Sequence, residues 1–80
     1  MDATTWIAAF AGALGVPAPT DAEIEELLAL AGTAAHASER KAAPIACYLV
    51  ARSSLAPSDA HALARGIASD ASGSSDRSDA

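Results

Sequence analysis

Cysteine, aromatic residues and positive charge are all scarce in this chain, and the shortages of cysteine and positive charge exclude whole classes of protein. Cys47 is the only cysteine, so no internal disulfide can form, which fits a reducing compartment. The chain contains five Lys and Arg residues and ten Asp and Glu residues, which gives a formal net charge of −5. Nucleic acids and anionic membranes bind to basic faces, so we expect neither as a partner.

Long hydrophobic runs are also missing. The longest uncharged segment, from Ala3 to Thr20, is interrupted by two glycines and two prolines. A transmembrane helix needs about 20 consecutive apolar residues, so this segment does not predict one. Asp2 stands near the start, where a signal peptide would carry a basic residue. We therefore expect a cytoplasmic protein.

Alanine dominates the residues that are present, since 23 of the apolar residues are alanines. Alanine is the strongest helix former, and β-branched residues are few, so the composition predicts an all-α fold. Alanine side chains bury little apolar area, and the core of an 80-residue chain gains little free energy beyond chain entropy. We therefore expect closely packed helices and additional stabilisation from a second copy or another domain.

Apolar spacing and capping signals predict four helices. The first runs from about Thr5 to Leu14, with Asp2 or Thr4 as its N-cap and Gly15 as a left-handed C-cap. The second opens with a capping box, in which the side chains of Thr20 and Glu23 bond each other's backbone N–H groups. It is expected to end near Ala37.

The third and fourth helices are predicted mainly from proline. Pro44 is suited to the first position of the third helix, after a connection at residues 38–43. Pro57 or Ser58 would begin the fourth, which Gly66 weakens. The expected fold is a compact bundle of three or four short antiparallel helices with the second helix central. This domain would cover residues 1–69, and the Ser/Asp-rich tail at 70–80 would be disordered.

A polar turn interrupts the alanine-rich sequence at "AHASERKAAP" and supplies the candidate recognition residues. His36, Glu39 and Arg40 would share a face if the helix continued. Otherwise Glu39 and Arg40 would fix the turn through a local salt bridge or by bonding free backbone groups. Tyr48 needs a partner for its hydroxyl, such as Glu39 or His36, and Trp6 would anchor a neighbouring apolar face. His36 and Glu39 supply two metal ligands where three or four are needed, so we expect no metal or other cofactor.

Catalysis finds no support in the residue pattern. Cys47 stands in an apolar helical segment, where cysteine behaves as a small hydrophobic residue. The serines have no neighbouring base, and no glycine-rich phosphate loop is present. We therefore expect a domain that is not an enzyme.

Taken together, these motifs resemble a small bacterial family of unknown function, typical of high-GC actinobacteria. The resemblance covers about residues 5–52. It is carried, in order, by Trp6, Leu14-Gly15, "LLALA" at 27–31, Ala35-His36, Glu39-Arg40, Ala43-Pro44 and Tyr48-Leu49.

Domains of that family occur alone or fused to MobA-like proteins, which attach guanine nucleotide to the molybdenum cofactor. The resemblance thus implies an accessory or protein-interaction domain linked to molybdenum cofactor biosynthesis. Its partner would be such a guanylyltransferase or a second copy of the chain. The alternative is a small-ligand module for a nucleotide, a pterin or another anion. In it Arg40 would pair with a phosphate or carboxylate, and His36 and Tyr48 would complete a shallow pocket.

Overall fold

The computed structural model describes the backbone of residues 1–79 and the side chains of residues 1–69. Residues 1–79 form four α-helices: α1 (Ala3–Leu14), α2 (Asp21–Ala37), α3 (Ala42–Arg52) and α4 (Pro57–Asp79). The described residues include no β-strand, and the predicted all-α bundle is confirmed.

The first two helices are delimited by the caps that the sequence predicts. Thr5 donates its backbone N–H to Asp2 Oδ1 at 2.8 Å, and hydrogen bonds from the Thr5 side chain and backbone hold the pKa of Asp2 below its usual range. Gly15 ends α1 with a left-handed φ of 76°. At the start of α2, Glu23 N–H donates to Thr20 Oγ1 at 3.1 Å, and Thr20 N–H donates to Glu23 Oε1 at 2.8 Å. The predicted capping box is therefore present.

The third helix begins two residues earlier than predicted. Ala42 is its first residue, and Pro44 is its third. N–H groups in the first turn of a helix have no intrahelical acceptor, so proline there removes no helical hydrogen bond. Instead, the N–H groups of Ala42 and Ala43 bond the carbonyls of Glu39 and Arg40 at 2.9 and 3.1 Å. The turn between α2 and α3 therefore leads directly into the helix.

The fourth helix begins at Pro57, one of its two predicted starts, and continues past Gly66. A Cβ added at Gly66 would meet no atom within 4 Å, so this glycine has no packing role. The α4 backbone extends to Asp79, beyond Ser69, where we expected the domain to end. The side chains of the predicted disordered tail lie outside the described residues, and its disorder stays a prediction.

The second helix is central, as predicted, because it packs extensively against both α3 and α4. Leu30 of α2 is only 1% exposed, and Ala60 and His61 of α4 are also buried. The first helix takes part in neither of these extensive contacts, although its residue Ala11 is buried. The buried core among the described residues therefore consists of few side chains.

The packing contacts also show the direction of each helix. Ser58 of α4 and Glu23 of α2 border one recess, and Ala68 and Ala37 border another farther along both helices. Helices α2 and α4 therefore run parallel. The end of α3 lies beside the first half of α2, and the start of α3 lies beside the end of α2. Helix α3 is thus antiparallel to both.

Candidate functional site

The end of α2 and the turn that follows it carry three of the predicted recognition residues, and all three are exposed. His36 lies in the last turn of α2, and Glu39 and Arg40 lie in the connection. Glu39 Oε1 approaches Lys41 Nζ at 4.0 Å, so its ionic neighbour is Lys41 and not Arg40. Both side chains are at least 69% exposed, and such ion pairs contribute little to stability. Backbone hydrogen bonds therefore hold the turn.

Tyr48 and Trp6, the other two predicted residues, each pair with a neighbour on their own helix. The Tyr48 hydroxyl accepts from Arg52 Nη1 at 3.0 Å, and the Arg52 guanidinium lies 5.7 Å from the ring centroid. Its partner is thus Arg52, one turn later, and not Glu39 or His36. The Trp6 ring lies 5.1 Å from the Phe10 ring, at an interplanar angle of 33°.

Among the described side chains, no hydrogen bond or ion pair joins any two of these five residues. They do not form one polar site. Their role in recognition stays a prediction.

The clearest candidate site is an apolar groove between α3 and α4, with the C-terminal half of α2 beside it. Its volume is about 330 Å³. Ile45 and Leu49 of α3 stand on one side, and Ile67 of α4 stands on the other. Small residues complete the lining: Thr33, Ala34, Ala37, Ser38, Ala42, Ala46, Ala64 and Ala68.

The large apolar side chains of this groove are exposed to solvent. Ile45 and Leu49 are each 59% exposed, and Ile67 is 69% exposed. The alanines between them are too small to fill the space, and α3 and α4 do not pack extensively on each other. None of the described lining residues is charged. A contiguous exposed apolar surface of this kind marks interaction sites in soluble proteins.

A buried histidine joins α4 to α2 beside the groove. His61 is 7% exposed, and both of its ring nitrogens are bonded. Nε2 lies 2.9 Å from Thr33 Oγ1, and Nδ1 lies 2.9 Å from Glu26 Oε1. Glu26 and Thr33 are seven residues apart, so they lie on one face of α2, with Leu30 between them. We call these three residues, Glu26, Thr33 and His61, the polar clamp.

The donors and acceptors of the polar clamp can be assigned by elimination. A carboxylate only accepts, so His61 Nδ1 must carry the proton that is donated to Glu26. The Thr33 hydroxyl can then donate to Nε2. Arg65 Nη1 lies 3.2 Å from Nδ1, but a protonated Nδ1 cannot also accept from it. The Arg65 contact is therefore a close approach of a positive charge to the Glu26–His61 pair, and not a hydrogen bond.

The order hydroxyl, imidazole and carboxylate is also that of a hydrolytic triad. Acyl transfer needs backbone N–H groups that are free to bind a developing oxyanion. Thr33 lies in the interior of α2, where the N–H groups around it are used by the helix. The polar clamp therefore connects two helices and does not assemble a nucleophile. Burial also raises the pKa of the Cys47 thiol, which makes it a poorer nucleophile.

Thr33 belongs to both features, because it lines the groove and bonds His61. A second recess, of about 500 Å³, also borders Thr33 and lies next to His36 and Gly32. Within residues 1–69, no group of three or more His, Cys, Asp or Glu side chains is placed to hold a metal ion.

The sequence of the chain matches a family model over almost its whole length. A family model described as a domain of unknown function (DUF6457) matches residues 1–79. The chain belongs to the DUF6457 family. The motif order predicts a family of unknown function, and this prediction is confirmed. The match extends over both the polar clamp and the groove of this DUF6457 domain. No curated protein and no solved structure shows significant similarity to it. None of its described helices combines the length and hydropathy needed to span a bilayer.

Proposed function

We propose that this DUF6457 domain is a non-enzymatic protein-interaction domain that binds an apolar segment of its partner in the groove between α3 and α4. The groove itself carries the proposal. Its walls expose three large aliphatic side chains, Ile45, Leu49 and Ile67, around small residues that leave space for an inserted side chain. Apolar grooves of this form receive amphipathic helices.

The predicted recognition turn supports the same surface. Ala37, Ser38 and Ala42 line the groove, and Glu39 and Arg40 lie between them in the sequence. Interfaces commonly have an apolar centre and a polar rim. Arg40 and Glu39 would form that rim and orient the partner.

The proposed partner is a MobA-like molybdenum cofactor guanylyltransferase. We propose that the two proteins bind each other in the cytoplasm. The support for this partner is the sequence resemblance to domains that occur fused to such enzymes. The proposed link to molybdenum cofactor biosynthesis depends on this partner.

A binding titration with the purified guanylyltransferase tests the proposal. Leu49→Glu places a charge in the groove, and Leu28→Glu places the same charge on α2, where the native side chain is 68% exposed outside the groove. We expect Leu28→Glu to bind like the wild type and Leu49→Glu to lose binding, with helicity by circular dichroism as the folding control. Equal binding by both variants would show that the groove is not used.

Anion binding is the second candidate, and the recess beside His36 is the observation that favours it. Neither Arg40 nor Tyr48 is among the residues that line this recess, so the geometry favours the protein partner. A nucleotide or pterin that raises Tm at constant protein concentration, and does so less in an Arg40→Ala variant, would instead support anion binding.

A further inference from the structure

The first helix exposes an apolar face whose large side chains suit binding in an apolar groove. Trp6, Phe10 and Leu14 recur at intervals of four residues and are 55%, 50% and 59% exposed. The contact between the Trp6 and Phe10 rings makes the surface continuous. Helix α1 also stands outside the extensive packing of α2 with α3 and α4. One chain therefore carries an unfilled apolar groove and an uncovered apolar helix.

We propose that two copies of the chain associate by exchanging α1, so that the α1 helix of each copy lies in the groove of the other. This proposal rests on the interaction function proposed above and names a second copy as an occupant of the same groove. The guanylyltransferase and the second copy would then compete for the groove.

The dimensions of the two surfaces agree. At 1.5 Å per residue, the face from Trp6 to Leu14 is about 12 Å long. By the same rise, the α3 wall from Ala42 to Leu49 is about 10 Å long. Residues spaced at i and i+4 are the usual anchors of a helix bound in a groove.

Charge favours these surfaces for contact between identical chains. Each copy carries a net charge of −5, so most contacts between two copies would bring like charges together. The segment from Ala3 to Thr20 contains no ionisable side chain, and the described groove lining contains none either. The groove and α1 therefore meet without that repulsion.

The linker after α1 explains why a second copy, and not the same chain, supplies the helix. Gly15 is held in the left-handed conformation, and Pro17 and Pro19 restrict the backbone that follows. This stiff segment holds α1 outside the groove of its own chain, whose lining includes no α1 residue. Exchange of an identical element is a common route to dimers, and the reciprocal contact closes the assembly at two copies.

Sedimentation equilibrium and fluorescence over a range of concentrations test the exchange on the full chain. Trp6 is the only tryptophan, so its emission reports on α1 alone. We expect a dimer at high concentration and a blue shift of Trp6 emission that follows dimer formation. Trp6→Ala and Leu49→Glu should each weaken the dimer at least about 50-fold, from the apolar area each removes, while Leu28→Glu should not.

Mixing the two defective variants gives the sharper result. A mixed pair can place the intact α1 of Leu49→Glu in the intact groove of Trp6→Ala. We expect differently tagged mixed dimers at concentrations where neither variant dimerises alone. If mixing restores nothing although both variants are folded, α1 does not enter the groove of the other copy and the proposal is overturned.

Two other outcomes would also overturn the exchange. One is a wild-type chain that stays monomeric at millimolar concentration. The other is a monomer whose Trp6 emission shifts to the red in Leu49→Glu, because α1 would then occupy its own groove. With either outcome, loss of guanylyltransferase binding by Leu49→Glu would still support the proposed interaction function of the groove. Normal enzyme binding by Leu49→Glu, together with a dimer that needs α1, would show that the enzyme binds outside the groove and would leave the exchange standing.

Discussion

Replacing Thr33 by valine tests whether the polar clamp stabilises the fold. Valine keeps the shape of threonine but removes the hydroxyl that is bonded to His61 Nε2 at 2.9 Å. His61 is only 7% exposed, so water cannot readily replace the lost partner. An unsatisfied buried polar group costs about 1–3 kcal/mol. In a domain of this size each kcal/mol lowers Tm by about 4–8 °C, so we expect a decrease of roughly 5–20 °C.

Thermal unfolding followed by circular dichroism measures this decrease. Thr4→Val is the control, because Thr4 is exposed and its substitution removes a hydroxyl without leaving a buried nitrogen unpaired. A second variant, Thr33→Val with His61→Leu, removes both partners and should be less destabilised than the sum of the two single changes. Our interpretation is refuted if Thr33→Val and Thr4→Val lower Tm equally, or if the double variant is simply additive.

Three further substitutions and one pH dependence follow from other features. Gly66→Ala should raise stability by about 0.5–1 kcal/mol, because it removes backbone freedom inside a helix where a Cβ meets nothing within 4 Å; Gly15→Ala should lower Tm, because its φ is 76°. Arg40→Ala should change the free energy of unfolding by less than about 0.5 kcal/mol while weakening partner binding, since backbone bonds hold the turn; a large loss of stability would make Arg40 structural. Because burial raises the pKa of Cys47, the native thiol should react with a disulfide reagent more slowly than the denatured thiol at pH 8. The unfolded state loses this proton first, so stability should fall as pH rises through the thiol pKa of the unfolded chain. A Cys47→Ser variant should lack that decrease.

The helices and their caps were predictable because their signals are local in the sequence. Gly15 and the pair Thr20 and Glu23 each act on backbone groups within a few residues. The sequence predicts the start of α3 two residues late because proline is tolerated throughout the first turn and does not mark one position within it.

The polar clamp was not predicted because its hydrogen bonds join residues 28 and 35 positions apart. A partial signal exists in the sequence. Glu26 and Thr33 flank Leu30 on one helical face, and His61 stands beside the apolar residues Ala60 and Ala64. Polar residues on apolar faces indicate buried pairs, but helical spacing does not identify which residues pair.

The groove was missed for a different reason. Ile45 and Leu49 are four residues apart, and Ile67 follows Ala64 by three, so these residues have the helical spacing of apolar faces. Spacing does not tell whether another element covers such a face. Here the side chains next to them are alanines, which bring helices close but leave large neighbours exposed.

The polar clamp and the groove are connected through the register of α4 on α2. Alanine-rich faces can slide past each other with little change in buried area, so apolar packing alone specifies their register weakly. A slide of one turn, about 5.4 Å, would break both hydrogen bonds of His61, whose nitrogens are satisfied in one register only. Ile67 follows His61 on the same helix, so the polar clamp also fixes one wall of the groove. Under the proposed function, a partner bound in the groove would therefore depend on His61 without touching it.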